Sequence, residues 1–133
     1  MSYFNKVNVA YSGTPITAST PLPIRNNYVD VIFHTTEATP TNGTSFVVGS
    51  YKTLTVEIYG SANTVRLITF YRKQRNGTLK AIQGINTATY AVATSTTGTD
   101  EEWQFDVTGR NEIIMDITSM TGGTITIKGT AVT

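Results

Sequence analysis

The feature that most constrains this chain is strict alternation through its last third. From Glu102 to Val132, three runs repeat with a period of two. Trp103, Phe105 and Val107 lie on one side, with Gln104, Asp106 and Thr108 on the other. Ile113, Met115 and Ile117 repeat the pattern after a Gly109-Arg110-Asn111 turn. Ile125, Ile127, Gly129 and Ala131 repeat it again after Gly122-Gly123, with Thr124, Thr126, Lys128 and Thr130 opposite. Successive side chains on a strand point to opposite faces, so this period means strands with one buried and one wet face. The stretch reads as a three-strand antiparallel meander carrying the densest part of a core.

The same period recurs upstream. In Tyr28 to His34, Val29, Val31 and Phe33 face in, while Asp30, Ile32 and His34 face out. Thr53 to Tyr59 points Leu54, Val56 and Ile58 inward, and the more apolar run Val65 to Arg72 reads as a central strand. Asn76-Gly77 is the strongest hairpin signal, because both central positions of a type I′ turn need positive φ. A return strand is expected from Thr78 to Ile85, and another from Thr89 to Thr94 with Tyr90 and Val92 on one side. No helical period appears. Roughly eight to ten short strands separated by turn residues predict an all-β chain, an antiparallel β-sandwich of jelly-roll type.

At 133 residues the chain has the size of one domain. Residues 28–133 are expected to form the sandwich. Residues 1–27 are weakly patterned and contain Pro15, Pro21 and Pro23, which lack an amide donor and disfavour helix before them. They read as an extended N-terminal arm or as an edge segment of the sandwich. As an arm, this segment would use Tyr3, Phe4, Tyr11, Leu22 and Ile24 as apolar anchors for assembly.

Only 14% of residues are charged and the formal net charge is +1. Such a balance sets up no global field towards nucleic acid or an acidic surface, so no nucleic-acid partner is expected. Without cysteine there are no disulfides, thiol nucleophiles or Cys-ligated zinc. No segment approaches the roughly 20 apolar residues that span a bilayer, so no membrane insertion is expected, and the first residues lack an apolar run of signal-peptide length.

Several groups of residues are candidate sites. Asp100-Glu101-Glu102, with Asp106 and Asp116, supplies oxygen ligands of the type calcium takes, but the spacing is not that of an EF-hand loop. These carboxylates read as solvated groups at the start of a strand. His34 is the only histidine; it reads as a surface residue, since no second imidazole or cysteine could complete a zinc site. No nucleophile-elbow motif surrounds any serine. The expectation is therefore no catalytic residue, no metal and no cofactor. Arg72, Lys73, Arg75 and Lys80 flank the Asn76-Gly77 hairpin and read either as a contact to phosphate or an acidic partner, chiefly another subunit, or as charges that aid solubility and protect an edge. Tyr59 and Tyr71 fall opposite the core face of their strands, where aromatic rings stack on sugars or fill an interface. Asn42-Gly43-Thr44 and Asn76-Gly77-Thr78 match the glycosylation sequon but coincide with turn signals.

The run Glu102-Trp103-Gln104-Phe105-Asp106-Val107-Thr108-Gly109, followed by Ile117-Thr118-Ser119-Met120-Thr121-Gly122-Gly123-Thr124-Ile125-Thr126-Ile127-Lys128-Gly129, resembles the second half of small β-sandwich proteins encoded by tailed phages and prophages. The upstream Val48-Gly49-Ser50-Tyr51-Lys52-Thr53-Leu54-Thr55-Val56-Glu57-Ile58 is similar in style, so the resemblance covers roughly residues 46–132. It implies a non-enzymatic virion component of the tail, baseplate, fibre or capsid surface. Such a component is made in the bacterial host cytoplasm and assembles with copies of itself and with other virion proteins. The resemblance carries over no catalytic position. A second reading is a carbohydrate-binding module that attaches to host cell-surface glycans, since sandwich folds host both functions.

Overall fold

The computed structural model describes residues 10–11, 14–15, 27–61 and 66–133. Its strands are β1 (Ala10–Tyr11), β2 (Thr14–Pro15), β3 (Tyr28–Glu37), β4 (Phe46–Val47), β5 (Thr53–Gly60), β6 (Arg66–Lys73), β7 (Leu79–Ala81), β8 (Gly84–Asn86), β9 (Val92–Ala93), β10 (Glu101–Asp106), β11 (Glu112–Met120) and β12 (Ile125–Val132). Among the described residues, β1 and β2 pair only with each other. The other strands form a six-stranded sheet in the order β3-β12-β5-β10-β8-β9 and a four-stranded sheet in the order β4-β11-β6-β7. Every pairing between them is antiparallel.

One core lies between the two sheets. The residues that alternation turned inward are buried there: Leu54, Val56, Ile58, Trp103, Phe105, Val107, Ile113, Met115, Ile117, Ile125 and Ile127. Phe70 on β6 ties the sheets together. Its ring centroid lies 5.1 Å from that of Trp103 and 4.9 Å from that of Phe105, tilted against the first and edge-on to the second. The ring quadrupole favours such offset and edge contacts over a flat sandwich.

The last third is not a meander. β10 and β12 both pair with β5, whereas β11 lies in the opposite sheet between β4 and β6. Alternation decides which side of a strand is buried. Two facing sheets bury facing surfaces, however, so the period is the same in either sheet and cannot tell them apart. The expected return strand is likewise two strands. β7 pairs with β6, and β8 pairs with β10 in the other sheet. The chain crosses at Ile82, whose amide donates to the Phe70 carbonyl at 3.0 Å. Gly84 makes the crossing sterically feasible, because a Cβ there would stand 2.4 Å from the Phe105 ring.

Three local expectations change in detail. The Asn76-Gly77 hairpin is present but is not type I′: Gly77 has φ 87°, and Asn76 is not among the positive-φ residues. Gln74 donates to Thr78 O at 2.9 Å and Gly77 to Gln74 O at 2.8 Å. This is the three-residue loop in which a type I turn is followed by a left-handed glycine. Tyr90, with φ 61°, lies outside β9 and does not share a strand face with Val92. Finally, His34 is not a surface residue but is 2% exposed. Lys128 pairs with Ile32 whereas its neighbour Ile127 pairs with His34, so Phe33 is an extra residue in β3. A bulge of this kind breaks the two-residue period and turns both Phe33 and His34 inward. The His34 Nε2–H donates to the Met115 carbonyl at 2.5 Å.

Candidate functional site

β6 runs between two charged ends. At about 3.3 Å per residue its eight residues span roughly 23 Å. At the Lys73 end the predicted basic group assembles. Arg72 pairs directly across the ladder with Lys80, and Lys73 with Leu79. Arg75 is exposed at the loop tip. Arg110, in the turn between β10 and β11, joins them: it lines a hollow of about 170 Å³ with Arg72, Lys73, Gln74, Arg75, Gly109 and Asn111. A neighbouring hollow of about 470 Å³ is lined by Arg72, Ala81, Ile82, Gln83, Thr94 and Arg110. Arg72 and Arg110 border both.

Few carboxylates answer these five cations. Lys73 approaches Glu112 at 3.9 Å. Arg72, Arg75, Lys80 and Arg110 make no salt bridge among the described residues. Asp106 lies in the field of Arg110. Its carboxyl is held below the ordinary aspartate value by hydrogen bonds from the Thr108 side chain and amide, with the Arg110 charge adding a smaller push. The Thr108 amide donates to Asp106 Oδ1 at 3.0 Å. The sequence reading placed Arg110 only in a turn. The missing signal was pairing: Glu112 stands opposite Lys73, so the turn before β11 lies beside the β6–β7 hairpin.

At the Arg66 end the acidic group is different in kind. Asp100 binds Arg66 at 2.8 Å, and the same guanidinium donates to the Gly60 and Thr99 carbonyls. Glu101 is not merely solvated. It accepts from the Thr97 amide at 2.9 Å, the Thr97 hydroxyl at 2.8 Å, the Asn86 amide group at 3.1 Å and the Trp103 indole at 3.4 Å. With its oxygens so engaged, Glu101 organises the loop before β10. No group of three or more His, Asp or Glu side chains among the described residues is arranged to hold a metal ion.

Tyr59 and Tyr71 do not form one platform. Tyr59 stands on the outer face of the six-stranded sheet opposite Thr126, and Tyr71 on the four-stranded sheet opposite Ile114. Tyr59 is exposed and Tyr71 half-buried. The outer face of the larger sheet carries a cross-strand row, Asp30, Thr130, Thr55, Gln104, Ile85 and Val92. A hollow of about 430 Å³ opens there beside Asp30, Ile32, Thr55, Glu57, Lys128 and Thr130. Tyr28, Ile32, Ile85, Val92 and Val132 are large exposed apolar groups, grouped near the two edges of that sheet. Of the expected assembly arm, Tyr11 belongs to β1, while Tyr3, Phe4, Leu22 and Ile24 lie outside the described residues.

Two facing antiparallel sheets with one shared core define a small all-β sandwich protein, and two of its sequence relatives come from a phage-like element and a prophage. The chain belongs to the XepA family, whose sequence profile matches residues 27–131. It is 40% identical over 103 residues to the phage-like element PBSX protein XepA of Bacillus subtilis strain 168, covering 77% of this chain and 37% of that protein. It is 40% identical over 111 residues to YqxG of the same organism, covering 84% of this chain and 37% of YqxG. The SPbeta prophage-derived protein YomS, also from that organism, is 39% identical over 100 residues, 75% of this chain and 83% of YomS. The chain thus spans little more than a third of YqxG and XepA but most of YomS. The crystal structure of YomS superposes with a TM-score of 0.78 at 35% identity, covering 84% of this chain and 98% of YomS. That of XepA, described as a PBSX exported protein, gives 0.79 at 36% identity, covering 88% of this chain and 42% of the other.

Proposed function

We propose that this chain is a non-enzymatic structural component of a phage or prophage particle, made in the host cytoplasm and acting through self-assembly and contacts with other particle proteins. The carrying observation is the outer face of the six-stranded sheet. Tyr28, Ile32, Tyr59, Ile85, Val92 and Val132 stand exposed on or beside a surface that also carries the polar Thr55, Gln104 and Thr130 and the charged Asp30, Glu57 and Lys128. Exposed apolar groups gathered on one face are typical of contact surfaces. The kinship with PBSX and SPbeta proteins supports the particle setting. An extended segment before Tyr28 would add to the contacts, because its prolines reduce the entropy lost on docking, and closed symmetry is the usual result. Size-exclusion chromatography with light scattering tests the reading. The full chain is expected to run as a defined oligomer, and removal of residues 1–25 is expected to lower its mass or stability. A monomer at every concentration would overturn it.

Attachment to a host cell-surface glycan is the second reading, and the hollow beside Asp30, Thr55, Glu57 and Thr130 favours it. Carboxylates and hydroxyls gathered in a concavity suit sugar hydroxyls. Retention of a monomer on polysaccharide, lost in Glu57→Ala, would support this reading over assembly.

A further inference from the structure

We propose that the basic end of the sandwich is a binding site for a small phosphate monoester. The phosphate would lie in the hollow between Arg72, Arg75 and Arg110, and its organic part in the adjoining hollow. This site is independent of the assembly surface. It involves the other sheet, and its residues are polar rather than apolar.

Three observations carry it. Five of the chain's ten basic residues gather at one end, although the net charge of the whole chain is only +1. They also come from three separate segments, β6, the β6–β7 hairpin and the Gly109–Asn111 turn, so that Arg72 and Arg110 are neighbours only in the folded chain. Finally, Arg72 stands directly across from Lys80, a like-charge pairing that is unfavourable unless an anion offsets it. Four of the five cations make no salt bridge among the described residues.

The chemistry selects among anions. A guanidinium offers a planar fork of donors that matches phosphate and carboxylate oxygens in pairs. A single carboxylate would offset only one charge. A phosphate monoester carries close to two negative charges at neutral pH and presents three strong acceptor oxygens. The hollow of about 170 Å³ is lined chiefly by basic and polar residues. The neighbouring one, about 470 Å³, adds the Gln83 and Thr94 side chains and the apolar Ala81 and Ile82, which suits a hydroxylated carbon skeleton. Its size falls within the usual range for small-molecule sites.

Isothermal titration calorimetry on the full chain tests this at about 0.15 M ionic strength, where exposed charges are largely screened beyond about 8 Å. The titrants are glycerol 3-phosphate, inorganic phosphate and glycerol. Glycerol 3-phosphate is expected to bind saturably at one site and more tightly than inorganic phosphate, while glycerol gives no binding. Arg110→Gln and Arg72→Gln should each weaken binding about tenfold, the scale of a lost charge-assisted bidentate contact. Arg75→Gln, at an exposed loop tip where folding is not at stake, should weaken it less but measurably. Lys128→Gln removes one charge from the opposite sheet and should leave binding unchanged. Absence of saturable binding by the full chain, or an equal loss in Lys128→Gln, would overturn the site. Inorganic phosphate binding as tightly as the ester would overturn the assignment of the second hollow.

Discussion

At the Arg66 end of β6 the charged groups are tied to the backbone and to one another. At the Lys73 end they stand side by side, and four of the five make no salt bridge among the described residues. Asp100 has its guanidinium at 2.8 Å and Glu101 accepts from four donors, whereas Arg72 and Lys80 face each other across a ladder. Both ends look alike in sequence, as short runs of one sign. The first is part of the scaffold, and its charges stabilise a loop that would otherwise leave buried polar atoms unmatched. The second contributes repulsion to the free molecule and is available to an outside anion. A charged run is therefore read by its partners rather than by its composition.

The comparison can be broken or sharpened by substitution. The largest effect is expected beneath the acidic end. Trp103→Ala removes a fully buried side chain that packs on Phe70 and donates to Glu101. It should cost about 3–5 kcal/mol of the roughly 5–15 kcal/mol available to a domain. Chemical denaturation checks this; an unchanged midpoint would detach the acidic end from the core. Next comes Glu101→Ala, which strands the Thr97, Asn86 and Trp103 donors and should cost about 2 kcal/mol. At the basic end, Arg75→Ala should change stability by less than about 0.5 kcal/mol. If these two substitutions proved equal in a thermal melt, the contrast between the ends would fail.

The smallest effect concerns pH. Asp106 is exposed, and its carboxyl is held below the ordinary value of 3.8, first by the Thr108 hydrogen bonds and last by Arg110. A depressed folded pKa means that its contribution is complete above 3.8. It is lost as pH falls through the lower folded value. Asp106→Asn should therefore lower the melting temperature slightly at pH 6 and not at all once both forms are protonated. A difference that persists at the most acidic pH would mean that charge is not its origin.

Much of this was legible in the chain. Each of Trp103, Phe105, Val107, Ile113, Met115 and Ile117 is buried where alternation put it, because the pleat imposes its period locally. What was not legible was long-range. Sheet membership of β11 depends on which partner crosses the core, and nothing in its own residues encodes that. His34 was misread because a bulge at Phe33 shifts the period by one, and a bulge is set by the neighbouring strand. The basic site was half legible: Arg72, Lys73 and Arg75 are close in sequence, but Arg110 reaches them only through the pairing of β6 with β11. Tyr59 and Tyr71, taken together on paper, belong to different sheets because β5 and β6 do.

The position of β12 has a consequence for how the chain can fold. It lies between β3 and β5 and forms ladders with both, and Thr130 pairs with Asp30, one hundred residues earlier. Until Ile125–Val132 has left the ribosome, β3 has no ladder partner among the described strands and the largest sheet is in two parts. Pairings that close such long loops are slow, about milliseconds to seconds for sandwiches. A nascent chain would hold Phe33 and Ile58 against no finished core until β12 emerges. Closure of the larger sheet is thus expected to wait for β12, and ribosome-stalled chains ending before Ile125 should remain open to protease.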